Sequence, residues 1–148
     1  MTVIFFDFAR PQREPDLSAG TVRFPYYPLL RVLQMLARPQ SEELKLGIIA
    51  ETQEGETGKH IEGLLKKAGI LGYFQPELLI CTSVVGHRKD SLEIFKIAVV
   101  SAGLSATPHH CLFVGDDINE QTCAMEAGMQ VCSVSELFRL VGSGEFDL

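Results

Sequence analysis

Five short apolar runs recur along this chain, separated by longer stretches whose apolar residues fall at helical spacing. The runs are residues 3–6, extending to about Phe8, then 44–50, 78–81, 111–114 and 130–132. Each has the length of a strand. The helical stretches are 27–37, with Leu29, Leu30, Leu33 and Leu36; 56–68, with Ile61, Leu64, Leu65 and Ala68; and then 91–102, 119–127 and 135–140. Such alternation predicts βαβ units. The expected architecture is α/β: a three-layer, doubly wound, mainly parallel five-stranded sheet with helices on both faces. Residues 9–25 hold three of the seven prolines and read as a loop or flap, and residues 142–148 as a frayed tail.

Composition sets the limits of this reading. With 148 residues, 46% hydrophobic and 22% charged, the chain can bury one core and is expected to form one domain over 1–148. A net charge of −6 repels a phosphate backbone, so no nucleic-acid partner is expected. Arg10, Arg13, Arg23, Arg31 and Arg38 make residues 9–38 locally basic, which reads as a solvated surface. No apolar run reaches the ~20 residues of a membrane span, and no signal-peptide pattern opens the sequence. Cys81, Cys111, Cys123 and Cys132 form no CxxC pair. They read as reduced thiols of a cytoplasmic protein, not as zinc ligands. His60, His87, His109 and His110 lack metal-site spacing and read as solvated or capping residues.

In doubly wound sheets, ligands bind beyond the carboxyl ends of the strands, near the switch in strand order. The residues there carry the chemistry. Asp7 follows the first run, Ala50-Glu51-Thr52 the second and Asp116-Asp117 the fourth, while Lys89 opens the helix after the third. Carboxylates gathered at one sheet edge repel and need a cation. A set of oxygen donors without Cys or His points to Mg²⁺ rather than zinc. A lysine beside them can offset charge or hold an anion.

These stretches resemble the haloacid dehalogenase (HAD) superfamily of hydrolases. Phe5-Phe6-Asp7-Phe8-Ala9 is similar to its first motif and Leu46-Gly47-Ile48-Ile49-Ala50 to its second. The run from Gly86 to Phe95, with Lys89, is similar to the third, and Leu112-Phe113-Val114-Gly115-Asp116-Asp117 to the fourth. The stretches 68–74 and 127–129 also match, so the likeness spans nearly the whole chain. The resemblance implies that Asp7 attacks phosphorus to form an aspartyl-phosphate. It further implies that Lys89 steadies the nucleophile and binds the phosphoryl group. Asp7, the main-chain carbonyl of Ala9, Asp116 and, through water, Asp117 would hold Mg²⁺. Either Glu120 or Gln121 would stand where the family often has a further acid.

Two positions depart from the pattern. Ala9 stands where phosphatases of the family place a second Asp as general acid and base, a function worth ~10²–10⁴-fold. Ala50 replaces a Ser or Thr that binds the phosphoryl oxygen, a donor worth ~10²–10³-fold, and Thr52 is the nearest hydroxyl. Weak Mg²⁺-dependent phosphohydrolase chemistry is therefore expected. The alternative is a catalytically degenerate HAD fold serving as a binding or regulatory module. A phospho-receiver domain fits less well, because there the paired acids follow the first strand. The phosphonate-cleaving branch tolerates Ala at position 9 but needs a cap lysine, and residues 8–44 contain none. A cap domain is not expected. The intervals from Asp7 to Ala50 and from Ala50 to Lys89 are both shorter than the ~50 residues of a separate unit, and each is already used. An open site of this kind implies a phosphorylated small molecule or macromolecule as substrate, or a second copy covering the site.

Overall fold

The computed structural model describes residues 1–8 and 44–143, without the side chains of Phe138 and 141–143. The expected flap at 9–25, the expected helix at 27–37, the basic stretch and Ala9 lie outside the described residues.

Among the described residues, β1 (Thr2–Phe8), β2 (Leu44–Ala50), β3 (Leu79–Cys81), β4 (Cys111–Val114) and β5 (Gln130–Cys132) form one sheet. Its order is β3-β2-β1-β4-β5 and every pairing is parallel. The expectation of a doubly wound five-stranded sheet therefore holds. The order reverses between β1 and β4, where Phe6 pairs with Val114, so the residues that follow each strand emerge side by side.

Helices cover both faces because each strand alternates its side chains between them. Ile4, Phe6, Phe8, Leu46 and Ile48 pack on one side against Ile61 and Leu65 of α1 (Gly58–Lys67) and Leu137 of α5 (Val134–Ser143). Val3, Phe5, Ile49 and Phe113 pack on the other. There they meet Ile94, Phe95 and Ala98 of α3 (Leu92–Ser101) and Ala124 of α4 (Ile118–Glu126). The aromatic pairs Phe6–Phe74 and Phe95–Phe113 meet edge to face, one in each layer.

Three differences from the sequence reading have local causes. A four-residue helix, α2 (Thr82–Val85), follows β3 where none was expected. It is too short for a periodic signal. The single 3₁₀ turns at Leu71–Tyr73, Pro76–Leu78 and Pro108–His110 are likewise too short for one. The last helix runs to Ser143, so residues 142 and 143 belong to it and not to a tail. A capping box nucleates this helix: Ser133 Oγ accepts from Glu136 N–H, and Glu136 Oε1 accepts from Ser133 N–H. Once nucleated, a helix propagates through a single Gly142 at a cost of ~1 kcal/mol. All four cysteines are free thiols. Cys81, Cys111 and Cys132 are buried, and burial pushes Cys111 up to about 11 and Cys132 up to about 12.

Candidate active site

Strand parity aims Asp7. Val3 and Phe5 face the α3–α4 layer, and Asp7, two residues on, continues that face just beyond the core. Lys89 lies three residues before α3 and is the buried charged residue among those described. Burying an ammonium is costly unless it is paired. Its Nζ forms an ion pair with Asp7 Oδ1 and stands 3.4 Å from Glu120 Oε1 on α4. Side chains from β1, the α3 approach and α4 therefore meet at the strand-order reversal.

The turn after β4 is pressed against the same point. A Cβ on Gly115 would stand 2.9 Å from the Phe113 ring and 3.2 Å from Asp7 Cβ, so this close approach requires glycine. Gln121 Nε2 donates to the Gly115 carbonyl at 2.5 Å and holds the turn. Asp117 caps α4, its Oδ1 accepting from Glu120 N–H at 3.0 Å. Asp116 Oδ1 accepts from Val134 N–H at 3.1 Å, which ties the turn to the start of α5. Each aspartate keeps its second oxygen outside these bonds.

Glu120 was one of two residues the sequence left open for the extra acid. The structure turns Glu120 toward Lys89 and Asp7, and Gln121 toward the β4 turn. Burial raises the Glu120 carboxyl to about 7; Lys89 opposes this, while the charges of Asp7 and Asp117 add to it. Its Oε1 is buried without a hydrogen bond, and the Lys89 ammonium at 3.4 Å is the charge that faces it.

A cleft of about 620 Å³ opens beside this cluster. Thr52, Ser83, Arg88, Lys89, Asp117 and Glu120 contribute to its walls. Thr52, the expected substrate-binding hydroxyl, is thus on the cleft, and its Oγ1 lies 2.6 Å from Ser83 Oγ. Ala50 is fully buried within the α1–α5 layer.

Oxygen donors from adjacent strand ends, together with an orphaned buried carboxylate oxygen, suit a hard cation in chemistry. Among the described residues, however, no three Asp, Glu, His or Cys side chains converge closely enough to hold an ion by themselves. The Ala9 carbonyl that would join them is outside the described set.

The family model for haloacid dehalogenase-like hydrolases matches residues 25–134, most of the chain. The chain belongs to that family. The match includes Lys89 and the Asp116-Asp117 turn; Asp7 precedes it. An uncharacterized protein from Corynebacterium glutamicum is similar over 96% of both chains, at 19% identity and a TM-score of 0.64. A HAD-superfamily hydrolase from Ehrlichia chaffeensis has a TM-score of 0.57 at 17% identity, over 77% of this chain and 54% of its own. A HAD family hydrolase from Deinococcus radiodurans, solved with bound phosphate and sodium, has a TM-score of 0.52 at 18% identity. That likeness covers 85% of this chain and 56% of its own. This chain therefore spans about half the length of the Ehrlichia and Deinococcus proteins. At these identities the likeness shows the fold. No curated protein matches the sequence. Among the described residues, no helix is long and apolar enough to cross a membrane.

Proposed function

We propose that this family member is a phosphohydrolase with Asp7 as nucleophile and Lys89 as the fixed charge that positions it. One observation carries the reading: the buried Lys89 ammonium pairs with Asp7 at the reversal in strand order, beside the acid turn of β4. A carboxylate oxygen of Asp7 attacks phosphorus, the P–O bond to the leaving group breaks, and an aspartyl-phosphate forms; water then hydrolyses it. Lys89 offsets the negative charge that gathers as carboxylate and phosphoryl group approach. Asp7, Asp116, Asp117 and the Ala9 carbonyl would hold Mg²⁺, which when bound supplies Lewis-acid neutralisation of the phosphoryl oxygens.

Turnover is slow with ordinary esters, because the methyl group of Ala9 cannot protonate a leaving alkoxide. The open cleft takes a phosphorylated small molecule or a segment of a macromolecule. The site works without a cap domain, and a second copy would be the means of covering it. A cytoplasmic location fits the reduced thiols. The second reading, a degenerate binding module, is favoured by Ala50: it is sealed in the core and offers no hydroxyl to a phosphoryl oxygen.

A rapid-mix time course with p-nitrophenyl phosphate and Mg²⁺ separates the two. This leaving group is weakly basic and needs little acid catalysis. A nitrophenol burst that is lost in Asp7→Asn is the expected result. A folded, Mg²⁺-binding protein with neither burst nor turnover would establish the binding module instead.

A further inference from the structure

We propose that Thr52 is a positioning residue for Lys89, acting through the hydroxyls of Thr82 and Ser83; the catalytic part of this inference rests on the role given to Lys89 above. The β2–β3 ladder ends at the Ala50–Cys81 pair. Just beyond it, side chains take over the pairing. Thr52 N–H donates to Thr82 Oγ1 at 2.9 Å, and Thr82 Oγ1 donates back to the Thr52 carbonyl at 3.2 Å. Ser83 N–H donates to Thr52 Oγ1 at 3.0 Å, and Ser83 Oγ donates to the Glu56 carbonyl at 2.8 Å.

Each hydroxyl has one proton to give. That of Thr82 goes to the Thr52 carbonyl and that of Ser83 to the Glu56 carbonyl. The 2.6 Å contact between Thr52 Oγ1 and Ser83 Oγ must therefore use the Thr52 proton. All three protons are then committed within the clamp. The Thr52 hydroxyl acts on the fold of the next segment rather than on a phosphoryl oxygen.

That segment carries Lys89. Thr82 and Ser83 begin α2, which Gly86 closes with φ +75°, a conformation that side-chain-bearing residues rarely adopt. Lys89 follows three residues later. On its far side, Ser91 fixes the chain: its N–H and Oγ both donate to the Arg88 carbonyl, and Oγ caps α3 at Ile94 N–H. The short link from Gly86 to Arg88 is therefore held at both ends, and its outcome is the placement of the Lys89 ammonium on Asp7. The clamp ties that placement to β2, the strand that neighbours β1. None of its bonds links residues near in sequence, which is why no local pattern announces it.

The test uses Thr52→Val, which keeps the shape and removes the hydroxyl, and Thr52→Ser, which restores it. Ser83→Ala removes the acceptor from the other side and serves if Thr52→Val fails to fold. Two readouts are taken on each: the rate of the nitrophenol burst, and the acylation of Lys89 relative to exposed Lys66 by an amine-directed reagent, read by peptide mass spectrometry. Displacing a catalytic group by about 1 Å costs ~10²-fold. A burst slowed by about 10–100-fold is expected in Thr52→Val, with most of it recovered in Thr52→Ser. Lys89 should become several-fold more reactive than in the parent while Lys66 does not change. The double variant should lose less than the sum of the two singles, because both remove the same bond between the Thr52 and Ser83 hydroxyls. Lys89 as well protected in folded Thr52→Val and Ser83→Ala as in the parent would overturn the proposal. A parent protein without any burst would instead refute the phosphohydrolase reading, and the labelling would still decide the positioning role.

Discussion

The two faces of β1 end differently. On one, Ile4, Phe6 and Phe8 are apolar to the tip and bury without interruption under α1 and α5. On the other, Val3 and Phe5 give way to Asp7, and the layer above supplies a buried lysine and a carboxylate instead of aliphatic groups. One face is used for stability alone. The other gives up its last apolar position to a charge pair whose burial costs several kcal/mol per ion before pairing. Stability and chemistry are therefore carried by alternate residues of one strand, and single substitutions should separate them.

The largest effect is expected at the tip of the charged face. Asp7→Asn removes the nucleophile and should abolish the nitrophenol burst, a loss of about four orders of magnitude or more. A burst that survives would mean that Asp7 is not the attacking group. The next effect sets the faces against each other. Phe6→Ala and Phe113→Ala each empty an aromatic site in one layer and should cost about 3–5 kcal/mol, read from urea unfolding. They should differ in function. Phe6→Ala should keep its burst rate per folded molecule. Phe113→Ala should lose part of it, because the Phe113 ring supports Gly115 and, through it, the β4 turn against Asp7. Equal burst rates in the two variants would break the comparison.

Gly115→Ala probes the same contact from the other side. Its methyl group would stand 2.9 Å from the Phe113 ring and 3.2 Å from Asp7 Cβ, so ring or strand must move. Overpacking of this kind costs about 1–3 kcal/mol. Both the unfolding midpoint and the burst should fall; a drop in stability alone would show that the turn gives way without disturbing Asp7.

The fold was legible because the strands are short, apolar and widely spaced. The runs at 44–50, 111–114 and 130–132 coincide with β2, β4 and β5. Helix ends shifted by one to three residues, as at α4, which begins at Ile118 and not at 119. That small shift matters for the site. Neighbouring helix positions point about 100° apart, so an uncertain start leaves open whether Glu120 or Gln121 faces Asp7. The gathering of Asp7 and Lys89 was readable from strand ends and switch-point topology. The hydroxyl clamp was not, because Thr52 lies about thirty residues before Thr82 and Ser83 and the three carry no periodic signal. The turning of Asp116 toward Val134 was hidden for the same reason: it is a tertiary bond made by a residue whose type already suited a turn.

The smallest effect concerns pH and follows from Glu120. Its folded value of about 7 lies above its ordinary 4.5, so between these values the native state holds a proton that the unfolded chain has lost. Stability falls wherever the native state binds more protons as pH rises. The contribution is complete below pH 4.5, declines through the window and is gone above about 7. A shift of this size has a ceiling near 3 kcal/mol, and screening by the open cleft brings it to about 1–2 kcal/mol. The groups facing the carboxyl are Lys89, Asp7 and Asp117, and Lys89 already opposes the shift. Glu120→Gln keeps the shape and cannot ionise. Urea midpoints taken in metal-free buffer at pH 4.5 and 7.5 should therefore decline less for this variant than for the parent. The same decline in both would show that the Glu120 carboxyl is not raised and ionises in its ordinary range, with Lys89 offsetting its burial, and the charged face would then hold two ion pairs instead of one.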